Sequence, residues 1–112
     1  MKLALIDLDG VIANADARFA LAEQTANAKY QKELSRGSWT DLYWRTVFDP
    51  ANVPMDTLID GVSENLINLA YQGYGTAFLT SRPESMRKAT ESWLFTHEIE
   101  HRHDAFGNVL FM

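Results

Sequence analysis

The feature that most constrains the fold is a short apolar segment near the start of the chain. Leu3 to Leu8 is apolar apart from Asp7, and a turn signal, Asp9-Gly10, follows it. A run of this length suits a strand buried on both faces, as in parallel α/β sheets. It is too short for the apolar core of a signal peptide or for a membrane span. We therefore expect a buried first strand that carries acidic residues at its carboxyl end.

The apolar residues behind this strand alternate between helical and strand-like spacing. The predicted elements are, in chain order, a strand over 3–8, a helix from an N-cap at Asn14 to Leu34 that Arg36-Gly37-Ser38 ends, a short helix near 40–47, an irregular loop, a helix over 60–72, a strand over 75–80, a helix opened by Pro83, a polar connection over 97–104 and a strand over 106–112. This order predicts an α/β fold, with a Rossmann-like parallel three-stranded sheet and right-handed crossovers.

The composition is that of one globular domain. Of the 112 residues, 46% are hydrophobic and 22% are charged. The net charge of −5 argues against binding of the chain by itself to long nucleic acid or to an anionic membrane. The chain has no cysteine, which excludes disulfides, zinc–cysteine sites and thiol nucleophiles. Because no apolar run is long enough for a leader or a membrane span, we expect a cytoplasmic protein.

Asp7 and Asp9 stand where the first strand ends, the edge at which open α/β sheets bind ligands. Strand alternation directs both carboxylates to one side. Carboxylates this close repel each other and favour a metal or a shared proton, and Mg²⁺ accepts such hard oxygen ligands. Gly10 allows the chain to bend sharply behind them. The plainer alternative is a strand followed by an ordinary Asp-Gly turn.

A second polar motif, Thr80-Ser81-Arg82-Pro83, also joins a strand end to a helix start. The two hydroxyls and the backbone N–H groups of a helix N-terminus favour an anion, and Arg82 adds a fork for phosphate oxygens. If the two strands are neighbours, a carboxylate and an anion cradle lie side by side, as phosphoryl transfer to a carboxylate requires. The alternative is a plain N-cap followed by proline.

These motifs resemble those of the haloacid dehalogenase-like phosphohydrolases. The resemblance extends over most of the chain and is closest to the small polynucleotide 3′-phosphatase and nucleotidase branch. The segments that carry it are Asp7-Leu-Asp-Gly-Val11, Asp49-Pro-Ala-Asn-Val-Pro-Met-Asp56, Gln72-Gly-Tyr74, Leu79-Thr-Ser-Arg-Pro83 and Thr90-Glu-Ser-Trp-Leu94.

The resemblance implies a phosphomonoesterase that depends on Mg²⁺ and acts on a nucleotide or a nucleic-acid terminal phosphate. Asp7 would form an aspartyl-phosphate and bind the metal. Asp9 would be the general acid, with its backbone carbonyl on the metal. The expected phosphate-binding and substrate-binding residues are Thr80, Ser81, Arg82 and Gly10. One domain is expected, with a core over 1–12 and 61–112 and a cap-like helical insertion over 13–60.

The chain departs from the family pattern after the third strand. Family members continue with a phosphate-binding lysine and an acidic pair on a fourth strand, whereas the four lysines here, Lys2, Lys29, Lys32 and Lys88, all lie upstream. Three interpretations follow: an enzyme completed by a partner chain or by Arg82, a catalytically impaired phosphate-binding or regulatory module, or a fragment of a longer enzyme. With the three predicted strands in the order first, second, third, the first strand forms an edge of the sheet. We therefore expect self-association or a partner chain that covers this strand.

Two further clusters have a functional and a structural interpretation. The first cluster is aromatic and either stacks a nucleobase or forms a small core under the cap; it comprises Trp39, Tyr43, Trp44 and Phe48. The second either binds zinc or belongs to an exposed polar connection, which is the simpler interpretation; it comprises His97, His101, His103 and Asp104.

Overall fold

The computed structural model describes residues 2–99 and 109–111. Its elements are, in chain order, β1 (Lys2–Asp7), β2 (Ala13–Asn14), α1 (Asp16–Lys29), α2 (Arg36–Val47), a 3-10 helix (Pro50–Met55), β3 (Thr57–Leu58), α3 (Val62–Tyr71), β4 (Tyr74–Thr80), a 3-10 turn (Glu84–Met86), α4 (Arg87–Thr96) and β5 (Val109–Phe111). In the described part, no helix is both long enough and apolar enough to cross a membrane.

The main sheet has three parallel strands in the order β1-β4-β5. Asp7 at the end of β1 lies opposite Leu79, and Thr80 at the end of β4 lies opposite Phe111. The predicted α/β class, the parallel sheet and the strand order are therefore confirmed. Because parallel strands end at the same edge, the sheet brings the two polar motifs of the sequence to one place.

The core lies on one face of this sheet. Both crossovers step in the same direction across the sheet, and right-handed crossovers then put α3 and α4 on the same face. The core cluster accordingly combines strand and helix residues; it includes Leu8, Val62, Phe78, Met86, Trp93 and Leu94.

The opposite face of the sheet carries three exposed leucines in the described part of the chain. Leu3 is 46% exposed, Leu5 57% and Leu110 45%, and their positions in the register put them on the same face. The prediction that the first strand is buried on both faces is therefore wrong for one of them. The apolar run identified a strand of a parallel sheet, but the two same-face crossovers leave its second face uncovered.

The segment between β2 and β3 is helical. β2 and β3 pair antiparallel, with Ala13 opposite Leu58, and so close the base of this segment. Within it, α1 and α2 pack on each other.

The described chain measures 54 × 24 × 20 Å along its principal axes. Its radius of gyration of 16.2 Å exceeds the roughly 13 Å of a compact chain of this length. The molecule is therefore elongated.

Two predicted helix boundaries in this segment are wrong. α1 ends at Lys29, because Tyr30 is extended, and does not continue to Leu34, which is exposed. Arg36-Gly37-Ser38 is the first turn of α2 and not a helix stop. The apolar spacing continued past the end of α1 to Leu34, so the pattern placed the break between the two predicted helices too late in the chain.

The other predicted elements agree more closely. The predicted helix over 60–72 and strand over 75–80 correspond to α3 and β4. The loop after α2 is a 3-10 helix capped by the Asp49 side chain, which accepts from the Ala51 N–H at 2.9 Å. Pro83 is extended and precedes the 3-10 turn, so α4 begins at Arg87, later than predicted. The predicted polar connection beyond residue 99 and the strand residues 106–108 and 112 lie outside the described residues.

Candidate functional site

A tight turn behind β1 presents Asp9 at the edge of the sheet. Leu8 donates its N–H to the Leu79 oxygen at 2.8 Å, and its own carbonyl accepts from both Ile12 and Ala13 at 2.9 Å. Gly10 takes a φ of +84°, which favours glycine. The turn is thus anchored on the buried Leu8, and the residue that precedes the glycine is held at the surface.

The Asp9 carboxylate binds two of the three candidate phosphate-binding side chains of the second motif. The Thr80 hydroxyl donates to Oδ2 at 3.1 Å. The Arg82 guanidinium donates to Oδ1 through Nε at 3.1 Å and through Nη2 at 2.8 Å. The structure therefore brings Thr80 and Arg82 to Asp9, although each of them lies more than seventy positions from Asp9 in the chain.

A buried carboxylate, Asp56, lies behind this contact. It accepts from Arg82 Nη2 at 2.7 Å, from Arg18 Nε at 2.8 Å and from Arg18 Nη2 at 3.1 Å. Arg18 and Arg82 are each only 2% exposed. Arg18 Nη2 also lies 3.8 Å from Asp9 Oδ1. Two arginines and two aspartates thus form one charge network, in which the number of positive and negative groups is equal.

The remaining polar atoms of this network are also paired. Arg18 Nη1 donates to the Val47 carbonyl at 2.7 Å, at the end of α2. Arg82 Nη1 donates to the Thr90 hydroxyl at 3.0 Å, and the Trp93 indole donates to the Asp56 carbonyl at 2.9 Å. In the described part, every buried side-chain nitrogen and oxygen has a hydrogen-bond partner. The network therefore joins α1, α2, α4 and the ends of β1 and β4 around a fixed set of charges.

Arg18 and Asp56 were missed as site residues by the sequence reasoning. The signal for Arg18 was present, because it shares one helical stripe with Ala15, Ala22 and Ala26 on the buried side of α1. An arginine on a buried stripe implies a buried partner. The identity of that partner, 38 positions away in the chain, is not encoded in the local spacing.

Asp7 and Ser81 lie apart from the network. Both are exposed, and neither side chain makes a hydrogen bond within residues 2–99 and 109–111. Asp7 shares the uncovered sheet face with Leu3 and Leu5, at its carboxyl end. Its carboxylate is thus accessible for chemistry, and Asp9 two residues later is engaged with arginine.

The predicted anion cradle has a different local geometry. The Arg82 N–H donates to the Thr80 hydroxyl at 3.1 Å, and the 3-10 turn separates this loop from the start of α4. Thr80 and Arg82 face Asp9, so an incoming anion would have to compete with that carboxylate for their donors.

A pocket of about 320 Å³ opens beside Asp9. It lies between the turn behind β1, the start of α1 and the chain after β3. Its lining includes Asp9, Ala13, Asn14, Asp16, Phe19 and Ile59. The Asn14 side chain accepts a hydrogen bond from the Asp16 N–H at 2.9 Å. Asn14, the predicted N-cap residue, thus caps α1 although the N-cap position is Ala15, one residue later.

The described residues contain no group of three or more His, Cys, Asp or Glu side chains close enough to hold a metal ion. His97, the described member of the histidine cluster, packs against Trp93 with ring centroids 4.3 Å apart. His101, His103 and Asp104 lie outside the described residues.

Comparison with family models, with curated proteins and with solved structures finds no match for this chain. The function of the chain is therefore inferred from the residues of the site and from their contacts.

Proposed function

We propose that this chain is a phosphomonoesterase of the haloacid dehalogenase-like type, which acts with Mg²⁺ on a nucleotide or a nucleic-acid terminal phosphate. The observation that carries the proposal is the direct contact of Asp9 with Thr80 and Arg82 at the carboxyl edge of the sheet. The two motifs that define the resemblance meet there, beside a pocket and at the edge of the sheet where β1 ends in Asp7.

In this proposal Asp7 is the nucleophile. Its carboxylate oxygen attacks phosphorus, an aspartyl-phosphate forms, and the bond from phosphorus to the ester oxygen breaks. Asp9 protonates the departing oxygen and then takes a proton from a water molecule. That water attacks phosphorus and breaks its bond to Asp7, which releases phosphate and restores both aspartates. The exposure of Asp7 and its lack of a side-chain partner among the described residues support this assignment.

Thr80 and Arg82 hold the phosphoryl oxygens in this proposal, with Ser81 and Gly10 at the same turn edge. Substrate phosphate replaces the Asp9 carboxylate as the acceptor for part of these donors, one anion in place of another. Arg82 also does the work of the absent lysine. Two buried guanidiniums within hydrogen-bond or ion-pair distance of Asp9 support a preference for anions here.

The carboxylates at the end of β1 fit Mg²⁺. This ion binds through one or two carboxylates and completes its shell with water and substrate phosphate oxygens, so it needs no closed protein cage. Asp7 would supply an open carboxylate and Asp9 its backbone carbonyl. When bound, the ion neutralises charge on the phosphate ester.

A catalytically impaired phosphate-binding module is the second candidate. The observation in its favour is the complete pairing of Arg82, which donates to Asp9, Asp56 and Thr90 at once. A network closed in this way stabilises the fold without any turnover. The two candidates differ in one measurable quantity, the release of inorganic phosphate.

The test is phosphate release from a panel of nucleoside monophosphates, with and without Mg²⁺. Asp7→Asn should lower the rate by on the order of 10³-fold or more, because it removes the attacking carboxylate. The matched control is Asp41→Asn, which changes an exposed aspartate on α2 paired with Arg45 and should leave the rate unchanged. Equal rates for the wild-type and Asp7→Asn proteins would exclude Asp7 as the nucleophile.

The same panel separates the module from the enzyme. A module binds a nucleoside monophosphate in calorimetry and releases no phosphate, whereas the enzyme does both. Absence of both binding and release would reject the two candidates together.

We propose in addition that the edge of β1 is covered by another strand, from a second copy or from a partner chain. In the described sheet β1 pairs with β4 alone, and its other edge carries free backbone groups. Such an edge, on an apolar strand, favours pairing with a further strand.

A further inference from the structure

One of the buried side chains of α4 carries a hydroxyl. The helix buries Thr90, Trp93 and Leu94 against the core, and Thr90 is 0% exposed. Valine would fill nearly the same space without a hydroxyl, and a buried hydroxyl is costly unless it forms a hydrogen bond. The Thr90 hydroxyl meets this requirement by accepting from Arg82 Nη1 at 3.0 Å.

The donors of Arg82 divide into two groups. Nε and Nη2 donate to the Asp9 carboxylate at 3.1 and 2.8 Å, so this edge of the guanidinium faces the site. Nη1 donates to Thr90, and Nη2 has a second contact with Asp56 at 2.7 Å. Because the guanidinium is planar and its donors have a fixed geometry, the contacts with Thr90 and Asp56 determine which edge it presents to Asp9.

The contact with Thr90 differs from the two carboxylate contacts because it is neutral. Asp9 and Asp56 already offset the charges of Arg18 and Arg82. A further carboxylate in place of Thr90 would reduce the attraction of Arg82 for an anion, whereas a hydroxyl orients the guanidinium and leaves its charge available. When substrate phosphate replaces the Asp9 carboxylate, Thr90 and Asp56 remain as acceptors for Arg82.

We propose that Thr90 is a positioning residue, which directs the Nε and Nη2 edge of Arg82 toward the phosphoryl group of the substrate. This role deepens the function proposed above and rests on it for the identity of the anion. A fork that is held at this angle donates to two phosphate oxygens at once. Because its orientation is fixed before binding, little side-chain freedom is lost when the phosphate arrives.

The test is isothermal titration calorimetry of the full chain with inorganic phosphate. Thr90→Val removes the hydroxyl and should lower the affinity for phosphate by about three- to tenfold, the usual range for one hydrogen bond. Thr90→Ser keeps the hydroxyl and should retain the wild-type affinity. With a nucleoside monophosphate as substrate, kcat/KM should follow the same order, with Thr90→Val the lowest.

A role in packing alone predicts the reverse order. Valine keeps the volume and branching of Thr90, whereas serine removes a methyl group from the core and leaves a cavity. If Thr90 only fills space, Thr90→Ser binds phosphate more weakly and Thr90→Val equals the wild-type protein. The matched control is Thr46→Val, since the Thr46 hydroxyl donates to the Leu42 carbonyl at 2.8 Å within α2. It should leave the phosphate affinity unchanged.

A measurement on the wild-type protein tests the same contact without a substitution at Thr90. The guanidinium is delocalised, and a hydrogen-bonded amino group rotates slowly about its C–N bond. The two Nη1 protons of Arg82 should therefore give separate NMR signals in protein that contains isotope-labelled arginine, and Arg82→Lys identifies these signals by their loss. Free rotation of this group would overturn the assignment even if Thr90→Val failed to fold.

Three results of the calorimetry would also overturn it: an unchanged phosphate affinity in Thr90→Val, a Thr90→Ser variant as weak as Thr90→Val, or no phosphate binding by the wild-type protein. The function proposed above fails separately. A protein that binds phosphate in the expected order but releases none from a nucleoside monophosphate retains the positioning role and refutes the phosphomonoesterase. A protein that turns over its substrate equally well with valine in place of Thr90 retains the enzyme and refutes the positioning role.

Discussion

Asp56 has no access to water and two arginines for partners, so its charge is an obligatory part of the fold. Arg18 contacts it through two nitrogens and Arg82 through one. Removal of one member of a buried ion pair leaves the other charged group without compensation, and the desolvation cost then falls on the folded state. The same contacts hold Arg82 in position against Asp9.

Asp56→Asn should therefore lower the free energy of unfolding by about 3–5 kcal/mol, because two buried guanidiniums lose their carboxylate. Urea denaturation measures the change. Asp41→Asn is the control, since it breaks an ion pair with Arg45 in which both side chains are about 70% exposed, and it should cost less than about 1 kcal/mol. Similar losses in the two variants would contradict the role assigned to the buried network.

The contacts of Asp9 were accessible from the sequence, whereas those of Asp56 were not. Asp9, Thr80 and Arg82 each follow a strand, and neighbouring parallel strands end at one edge, so topology alone predicts that they meet. Asp56 follows a 3-10 helix and sits beside the cap-like helices. Its contact with Arg18 depends on how α1 and α2 fold back, and no local periodicity records that.

The turn behind β1 depends on a positive φ at Gly10. A Cβ at this position would meet no atom within 4 Å, so the cost of a side chain comes from the backbone alone. Gly37, in the first turn of α2, has equally open surroundings but an ordinary helical conformation. Substitutions at the two glycines therefore distinguish the stability cost of backbone strain from the cost of steric contact.

Gly10→Ala should lower the free energy of unfolding by about 1–2 kcal/mol, the usual cost of a left-handed conformation. Gly37→Ala should raise it by about 0.5–1 kcal/mol, because alanine is the better helix former. Thermal or urea unfolding of the two variants measures both changes. A change of the same sign in both would show that the strain at Gly10 does not control the stability of the turn.

The start of α4 carries a pH-dependent contact between Glu84 and Arg87. Their hydrogen bond lowers the pKa of Glu84 below its ordinary 4.5 by more than burial raises it, and the opposite charge of Arg87 lowers it a little further. A carboxyl whose pKa is lower in the folded state stabilises the fold above its unfolded pKa and loses this contribution as the pH falls through its folded pKa.

Glu84→Gln should therefore be less stable than the wild-type protein at neutral pH, and the difference should shrink once the pH falls below 4.5. Unfolding midpoints measured from about pH 7 down to about pH 3 test this. Because Glu84 is at the surface, added salt should reduce the difference at neutral pH. A difference that is constant over the whole range would show that the pair makes no pH-dependent contribution.

Strands were easier to predict than the helices between them. The runs that became β1 and β4 were short, apolar and followed by turn residues, and each signal is local. The end of the first predicted helix was placed too late, at Leu34, because α1 and α2 bury small and aromatic residues against each other. The stripe therefore continued through residues 30–35 although the backbone left the helix at Tyr30.

In the part of the chain that the structure describes, the two faces of the sheet differ. Two crossovers in one direction place α3 and α4 on one face, and Leu3, Leu5 and Leu110 stay exposed on the other. β1 combines this exposed face with a free edge in the described sheet. Its sequence indicated a central strand, and the structure places it at the side of the sheet, so the two agree only if another strand lies beside it.

If a second copy covers the free edge of β1, as proposed, the two strands pair most favourably in the antiparallel sense. Leu8 donates to β4, so the alternation along the strand directs the backbone groups of Leu5 and Asp7 to the free edge. Antiparallel pairing puts the two Asp7 carboxylates at opposite ends of the new interface, whereas parallel pairing puts them side by side. In a pair centred on Leu5, it also places Leu5 of one copy across from Leu5 of the other.

Sedimentation velocity over a range of protein concentrations should accordingly detect a dimer of the wild-type chain. Leu5→Lys puts a charge at the centre of the symmetric pair in both copies and should weaken association by about tenfold or more. Ile67→Lys is the matched control, because Ile67 is 55% exposed, close to the 57% of Leu5, but lies on α3. It should leave association unchanged. A monomer at every concentration would exclude the second copy, and equal weakening by both substitutions would show that association uses a surface other than the β1 edge.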